Sequence, residues 1–200
     1  MADTRSIIPG LDVIVLAEGP RTNDGVPLSA VTVDGEPLIN LTLAEIAMTT
    51  GLQQVTVVTA GGIALSPGTQ ITADPGDGGG PVSAIAAGVR TLWHQAASAT
   101  AVVRGWAPDT GQLLSDLWAE LDDGVDVAVA VDDDGNRVPL AAVWTTVSLW
   151  KVFEFMSGVP DPDPGCLFDG LTVACIDGNG LTGSYETEQA LAALGEIGRA

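Results

Sequence analysis

One stretch near the amino end decides the fold of this 200-residue chain: Asp12-Val13-Ile14-Val15-Leu16-Ala17-Glu18-Gly19. After Asp12 the stretch is apolar without a break as far as Ala17, and a loop then begins at Glu18-Gly19. A continuous apolar run of this length is typical of a strand that is covered on both faces of a sheet. Such strands occur in parallel sheets between two layers of helices, so the stretch indicates an α/β protein.

Strand and helix patterns alternate along the rest of the chain. Apolar runs predict further strands at 55–59, 70–73, 100–103 and 171–176. Apolar residues at helical spacing predict helices at 37–48, 81–96, 110–121, 149–156 and 186–197. Asp109 or Thr110 is expected to cap the third of these helices. Segments 125–131 and 138–144 flank the turn Asp134-Gly135-Asn136 and predict a hairpin.

This alternation of strands and helices predicts βαβ units and therefore a mostly parallel sheet. We expect a Rossmann-like protein of three α/β/α layers in which the hairpin adds an antiparallel piece. The chain has no internal repeat and no linker-like segment, so one domain is expected over residues 1–200.

The charge balance narrows the choice of partners. The chain has 26 acidic and 7 basic residues, which gives a formal net charge of −19. An apolar fraction of 46% excludes a disordered acidic tail. The few basic residues are spread along the chain and form no basic face, which argues against nucleic acid and anionic membranes as partners. Phosphate ligands stay open because Mg²⁺ can supply the missing positive charge.

The sequence also predicts a cytoplasmic location. Its first residues are polar and lack the apolar core of a signal peptide. The longest uncharged run, between Glu45 and Asp74, is interrupted by glycines and Pro67, so it does not predict a membrane span. Cys166 and Cys175 are expected to be reduced, partly buried thiols rather than a disulfide.

Three loops are candidates for chemistry, because open α/β sheets bind ligands at the carboxyl ends of their strands. They span residues 16–25, 74–81 and 104–108. The second is rich in glycine and runs into a helix, a geometry that brings backbone N–H groups close to a phosphate or a base, although it also suits a simple tight turn. We interpret Asp132-Asp133-Asp134 as part of a solvated turn rather than a metal site, and His94 as a structural histidine.

Four segments match the motifs of one enzyme family in their order along the chain. They read V-I-V-L-A-E-G at 13–19, D-G-E-P-L at 34–38, Asp74 with G-G-P-V-S-A-I at 79–85, and E-T-E-Q-A-L at 186–191. With these segments the chain resembles, over nearly its whole length, the molybdenum cofactor guanylyltransferase-like (MobA-like) NTP transferases.

The resemblance implies a nucleotide-diphospho-sugar transferase-like fold and a defined reaction. Members of the family join a nucleoside monophosphate from an NTP to a phosphorylated acceptor and release pyrophosphate with Mg²⁺. The ligand would be a nucleotide or a molybdopterin-type small molecule. Glu186 is the implied metal ligand, and no catalytic residue is assigned. The implied nucleotide-binding residues are Leu16, Ala17, Gly19, Arg21, Asp74, Gly79, Gly80 and Pro81.

The first loop departs from the family motif G-G-x-x-x-R-M-G-x-D-K. Glu18 replaces the first glycine and places a carboxylate where the resemblance implies triphosphate oxygens. The arginine of the motif aligns near Asn23, so Arg21, two residues away, is the candidate substitute. The D-K pair becomes Pro27-Leu28.

Two later positions also differ. Gly61 aligns with the base-contacting asparagine of the family, and Trp106 aligns with its Mg²⁺-binding aspartate. Each lost phosphate or metal contact corresponds to about 10²–10³-fold in rate. The resemblance therefore indicates a degenerate member of the family, inactive or strongly impaired.

The residues leave several hypotheses open. One is an active nucleotidyltransferase that uses Arg21, Asp74 and Glu186 with Mg²⁺ in a rearranged site. Another is a non-catalytic binding or regulatory module on the same scaffold, which recognises a nucleoside, a pterin or a partner protein. A third is an α/β domain whose glycine loops are only turns. A protein partner or a homodimer is compatible with each of them.

Overall fold

A computed structural model describes residues 6–65, 69–73, 80–92, 95–155, 162–183, 185 and 187–199. Its first strand, β1 (Ser6–Leu16), contains all but the last residue of the apolar run that follows Asp12, and it is paired with a strand on each side. Ile14 and Leu16 pack into one apolar cluster, while Val13 and Val15 pack into a second cluster. Since neighbouring side chains of a strand point to opposite faces, β1 is covered on both sides, as predicted.

In the part of the chain that the structure describes, the main sheet consists of seven strands: β1, β4 (Leu52–Thr59), β5 (Gln70–Ala73), β6 (Gln95–Arg104), β7 (Val127–Val131), β8 (Arg137–Thr145) and β9 (Val173–Asp177). Their order across the sheet is β5-β4-β1-β6-β8-β7-β9. β8 is antiparallel to both of its neighbours, β6 and β7, whereas the pairs β5–β4, β4–β1, β1–β6 and β7–β9 are parallel. The predicted hairpin, β7–β8, is thus confirmed, and its second strand is inserted inside the sheet.

Helices cover both faces of this sheet. The α-helices found among the described residues are α1 (Leu38–Ala47), α2 (Gly80–Thr91), α3 (Leu114–Ala119), α4 (Thr146–Phe155) and the short α5 (Glu188–Leu191). α2 and α4 contribute to the cluster that contains Ile14, and α1 and α3 contribute to the cluster that contains Val13. The three-layer α/β/α arrangement expected from the sequence is confirmed.

A second sheet, of three strands among the described residues, includes the last strand of the chain. It consists of β2 (Val31–Val33), β3 (Glu36–Pro37) and β10 (Ile197–Arg199), in the order β10-β2-β3. The prediction of a terminal helix over 186–197 is wrong in its extent, because only α5 is helical and the chain then turns into β10. Leu191 and Leu194 nevertheless pack inward, as their spacing indicated.

Two further expectations need correction. Neither Asp109 nor Thr110 caps a helix: the segment begins as a 3-10 turn at Pro108, and the hydroxyl of Thr110 donates to the Leu181 carbonyl instead, at 3.5 Å. Both cysteines are free thiols, but Cys175 is exposed on β9 rather than partly buried. No helix within the described ranges is long and apolar enough to cross a membrane.

Candidate functional site

The first loop leaves the sheet at the carboxyl end of β1 and is held there by backbone hydrogen bonds. The Leu16 carbonyl accepts from the Gly105 N–H at 2.8 Å. Ala17 donates its N–H to the Val58 carbonyl at 2.9 Å, and its own carbonyl accepts from the Ser29 hydroxyl at 2.6 Å. Leu16 and Ala17 are both buried, so they fix the direction of the loop.

A cleft of about 370 Å³ opens between this loop and the segment that follows β4. Its walls are mostly glycine, alanine, proline and valine, with Glu18 and Arg21 as the ionisable groups among the described residues that line it. The full lining is Glu18, Arg21, Gly25, Val26, Pro27, Ala30, Pro37, Ala60, Gly61, Gly62 and Ala64. The volume lies in the range of ligand sites, about 300–1,000 Å³.

Glu18 and Arg21 form an ion pair on the wall of the cleft. The Arg21 Nη2 lies 2.8 Å from the Glu18 Oε2, and the Arg21 Nη1 donates to the Gly25 carbonyl at 2.8 Å. The other carboxylate oxygen, Oε1, accepts from the Ala60 N–H at 3.2 Å and from the Thr59 hydroxyl at 3.4 Å. Arg21 therefore lies on the lining of the cleft, and its charge is already paired within the loop.

Trp106 packs directly against the first loop. Its indole lies so close to Gly19 that a Cβ added to Gly19 would overlap the ring. The side chain is only 5% exposed and belongs to an apolar cluster with Leu28, Val31 and Leu38. Its Nε1 is buried without a hydrogen-bond partner in the described structure. The indole thus fills the space next to Gly19.

The described residues do not fit a Mg²⁺ site of the implied kind. Mg²⁺ prefers carboxylate, carbonyl and water oxygens, whereas the indole of Trp106 offers an N–H donor and no lone pair for a metal. Across the part of the chain that the structure describes, no group of three or more His, Cys, Asp or Glu side chains is placed to hold a metal ion. Asp74 and Glu186, the two carboxylates named from the sequence, lie outside the described residues.

The structure describes some of the remaining candidate site residues, and others lie outside the described ranges. Gly80 and Pro81 begin α2, where Gly80 adopts φ +62°, a conformation that favours glycine. Gly79 and His94 fall outside the described ranges. The site residues named from the sequence therefore stay predictions, except that the structure places Arg21 in the cleft and Gly19 against Trp106.

The hairpin tip carries turn chemistry, as expected. Asp132 Oδ1 accepts from the backbone N–H groups of Asp134 and Asn136, at 3.0 and 2.7 Å. These hydrogen bonds, led by that from Asn136, lower the pKa of the Asp132 carboxyl. The carboxylate is thus used to close its own turn.

Sequence reasoning missed a clasp near the end of β6. The Tyr185 hydroxyl donates to Asp109 Oδ2 at 2.6 Å, and Arg104 Nη2 donates to the Thr182 carbonyl at 3.0 Å. Burial, with the contact to Asp109, raises the pKa of Tyr185 to about 12. The paired residues are more than seventy positions apart and lie in segments without a regular hydrophobic pattern, so the local sequence does not predict these contacts.

Comparisons with known proteins agree with this architecture. A comparison of the sequence with curated proteins found no significant match. Among solved structures, a molybdopterin-guanine dinucleotide biosynthesis protein A from Archaeoglobus fulgidus is similar, with a TM-score of 0.64, 15% identity, and coverage of 92% of this chain and 96% of that one. At this low identity, the similarity shows a shared fold alone.

Two further solved structures have similar TM-scores and coverages. A 4-diphosphocytidyl-2C-methyl-D-erythritol synthase from Anaerococcus prevotii has a TM-score of 0.67 at 12% identity and covers 93% of this chain and 94% of that one. A 2-C-methyl-D-erythritol 4-phosphate cytidylyltransferase from Thermus thermophilus has a TM-score of 0.63 at 18% identity, with coverages of 92% and 97%. The fold is thus that of nucleotidyltransferases.

The sequence itself carries the family assignment. The model of the MobA-like NTP transferase domain matches residues 13–158, nearly three quarters of the chain. The match begins at Val13, in the strand that feeds the first loop, and it includes Glu18, Arg21 and Trp106. The chain belongs to the family of MobA-like NTP transferase domains.

Proposed function

We propose that this protein is a non-catalytic or strongly impaired member of its family, which has kept a ligand cleft but does not transfer nucleoside monophosphate efficiently. The observation that carries the proposal is the Trp106 indole packed against Gly19. By the motif of the family, this position supplies a carboxylate to Mg²⁺. Replacing a metal-binding carboxylate by a buried indole removes an electrostatic contribution worth about 10²–10³-fold in rate.

The charge of the cleft supports the same proposal. Transfer at an α-phosphorus needs positive charge that is free to stabilise the phosphate oxygens as bonds change. Arg21 is the basic side chain among the described residues of the cleft, and it is paired with Glu18 at 2.8 Å. A triphosphate that approached Arg21 would also meet the Glu18 carboxylate, and like charges repel.

The ligand we propose is a nucleoside, a nucleotide or a molybdopterin-type heterocycle, bound in the cytoplasm by a single domain. The cleft is of suitable size, and its small, neutral lining leaves room for a flat ring. A regulatory role through a partner protein or a homodimer is part of this proposal. Where transfer activity persists, it would use Arg21, Asp74 and Glu186 with Mg²⁺ in a rearranged site, with Glu186 as the metal ligand.

Isothermal titration of the four NTPs, with Mg²⁺ and with a chelator, tests the proposal without knowledge of the acceptor. We expect no NTP to bind more tightly when Mg²⁺ is present. The active-enzyme hypothesis expects micromolar, Mg²⁺-dependent binding that Arg21→Ala abolishes. Observation of that pattern would overturn our proposal, and Arg137→Ala, a change at the hairpin rather than in the cleft, provides the charge-matched control.

A further inference from the structure

The ion pair in the cleft has a consequence for the charge of the ligand. A ligand anion in this cleft would use the guanidinium of Arg21 and the exposed backbone N–H groups after β4. Glu18 already uses the guanidinium and the first of these N–H groups, because its Oε2 meets Arg21 at 2.8 Å and its Oε1 accepts from the Ala60 N–H at 3.2 Å. The next N–H, that of Gly61, donates to the Thr59 hydroxyl at 3.0 Å. The Glu18 carboxylate thus occupies the guanidinium of Arg21 and the Ala60 N–H, two groups that a ligand anion would use.

The balance of charges points in the same direction. Among the described residues of the lining, Glu18 and Arg21 cancel each other, and the others are uncharged. The whole chain carries a formal charge of −19, so its long-range field repels anions. A phosphate monoester brings about −1.5 to −2 charges near neutral pH, and the described residues of the lining offer no cation besides the paired Arg21 to receive them.

We propose that Glu18 is a built-in anion which makes this cleft selective for an uncharged, phosphate-free heterocycle of nucleoside size. This inference rests on the proposed function, because it assumes that the cleft still binds a relative of the nucleotides that its family uses. Glu18 is then a specificity-determining residue. Small residues such as Gly61, Gly62 and Ala64 form the neutral wall against which the ring lies.

The test compares each of the four ribonucleosides with its own 5′-monophosphate by isothermal titration in a chelator. For the wild type, we expect at least one nucleoside to bind about tenfold more tightly than its monophosphate. Glu18→Gln keeps the size of the side chain and an oxygen for the Ala60 N–H, but it releases Arg21. In this variant we expect the preference to shift toward the monophosphate by about tenfold or more.

Two control variants separate the cause. Glu120→Gln removes the same charge at an exposed position outside the cleft, and it should leave the preference unchanged. In Glu18→Gln combined with Arg21→Ala, the gain in monophosphate affinity should disappear, because the released guanidinium causes it. Thermal unfolding of each variant checks that the fold is retained.

The outcomes distinguish this inference from the function on which it rests. The inference is overturned if no nucleoside binds, if the wild type prefers a monophosphate, or if Glu18→Gln leaves the preference unchanged. The proposed loss of transfer survives each of these results. It fails separately, on Mg²⁺-dependent NTP binding by the wild type, and that result would overturn both.

Discussion

The first loop carries its chemistry in two adjacent residues. The carboxylate of Glu18 lines the cleft, and the missing side chain of Gly19 leaves room for the indole of Trp106. The alignment of motifs predicted that Glu18 and Trp106 differ from the family and that Gly19 is kept, but it did not predict their contacts. A motif gives the residue type, whereas the ion pair with Arg21 and the packing of Trp106 depend on how three loops meet.

Asp12 is the buried acid of β1 and lies away from the cleft. It is fully buried, its Oδ2 accepts from the Ala97 N–H at 2.7 Å and the Gln54 side chain at 3.2 Å, and its Oδ1 has no hydrogen-bond partner in the described structure. Burial raises the pKa of this carboxyl, and the two hydrogen bonds only partly offset that effect. The charged form is therefore disfavoured in the folded state.

Asp12→Asn should make the protein more stable near neutral pH. Because the pKa is higher in the folded chain than in the unfolded chain, the wild type loses stability as the pH rises from the ordinary aspartate value through the raised folded value. Urea unfolding from pH 4 to 8 measures the free energy of unfolding of both proteins. The advantage of the variant should grow with pH, and a difference that is independent of pH would contradict this account.

At the scale of elements, the sequence predicted what periodicity controls. The apolar run of β1, the valine alternation of β7 and the helical spacing in α2 each have one regular solution, and the structure adopts it. The helix predicted over 81–96 is wrong in its extent, because α2 ends at Thr91 and Ala96 lies in β6. The end of the chain was predicted less well. The helix predicted there ends at Leu191, because residues 197–199 pair with β2. This pairing is a long-range contact, which local helix propensity does not predict.

Removal of residues 196–200 should destabilise the protein by about 2–4 kcal/mol, since it removes β10 and the apolar contact of Ile197. Urea unfolding measures the loss. Glu196→Ala is the matched control: Glu196 pairs with Asp34 through its backbone, at 2.8 Å, so its side chain should matter little. An unfolding midpoint unchanged by the truncation would show that β10 does not hold the small sheet in place.

At the scale of the whole molecule, the acid excess and the cleft act together. The formal charge of −19 weakens the approach of any anion, and salt screens this long-range effect. The pairing of Arg21 with Glu18 acts over 2.8 Å, well below the screening length of about 8 Å at physiological salt, so salt weakens it less than it weakens the long-range field. Added salt alone should therefore not turn this protein into a triphosphate-binding protein.

If the protein has lost efficient nucleotidyl transfer, as we propose, its cleft does not hold a metal-bound triphosphate. Water-proton relaxation of Mn²⁺ complexes of the four NTPs tests it most directly, because such a complex relaxes water faster when it is bound to a protein. With Mn²⁺ and protein alone as the reference, at about 0.15 M salt, we predict no NTP-dependent enhancement. A several-fold enhancement with any NTP, lost in Arg21→Ala, would contradict the account.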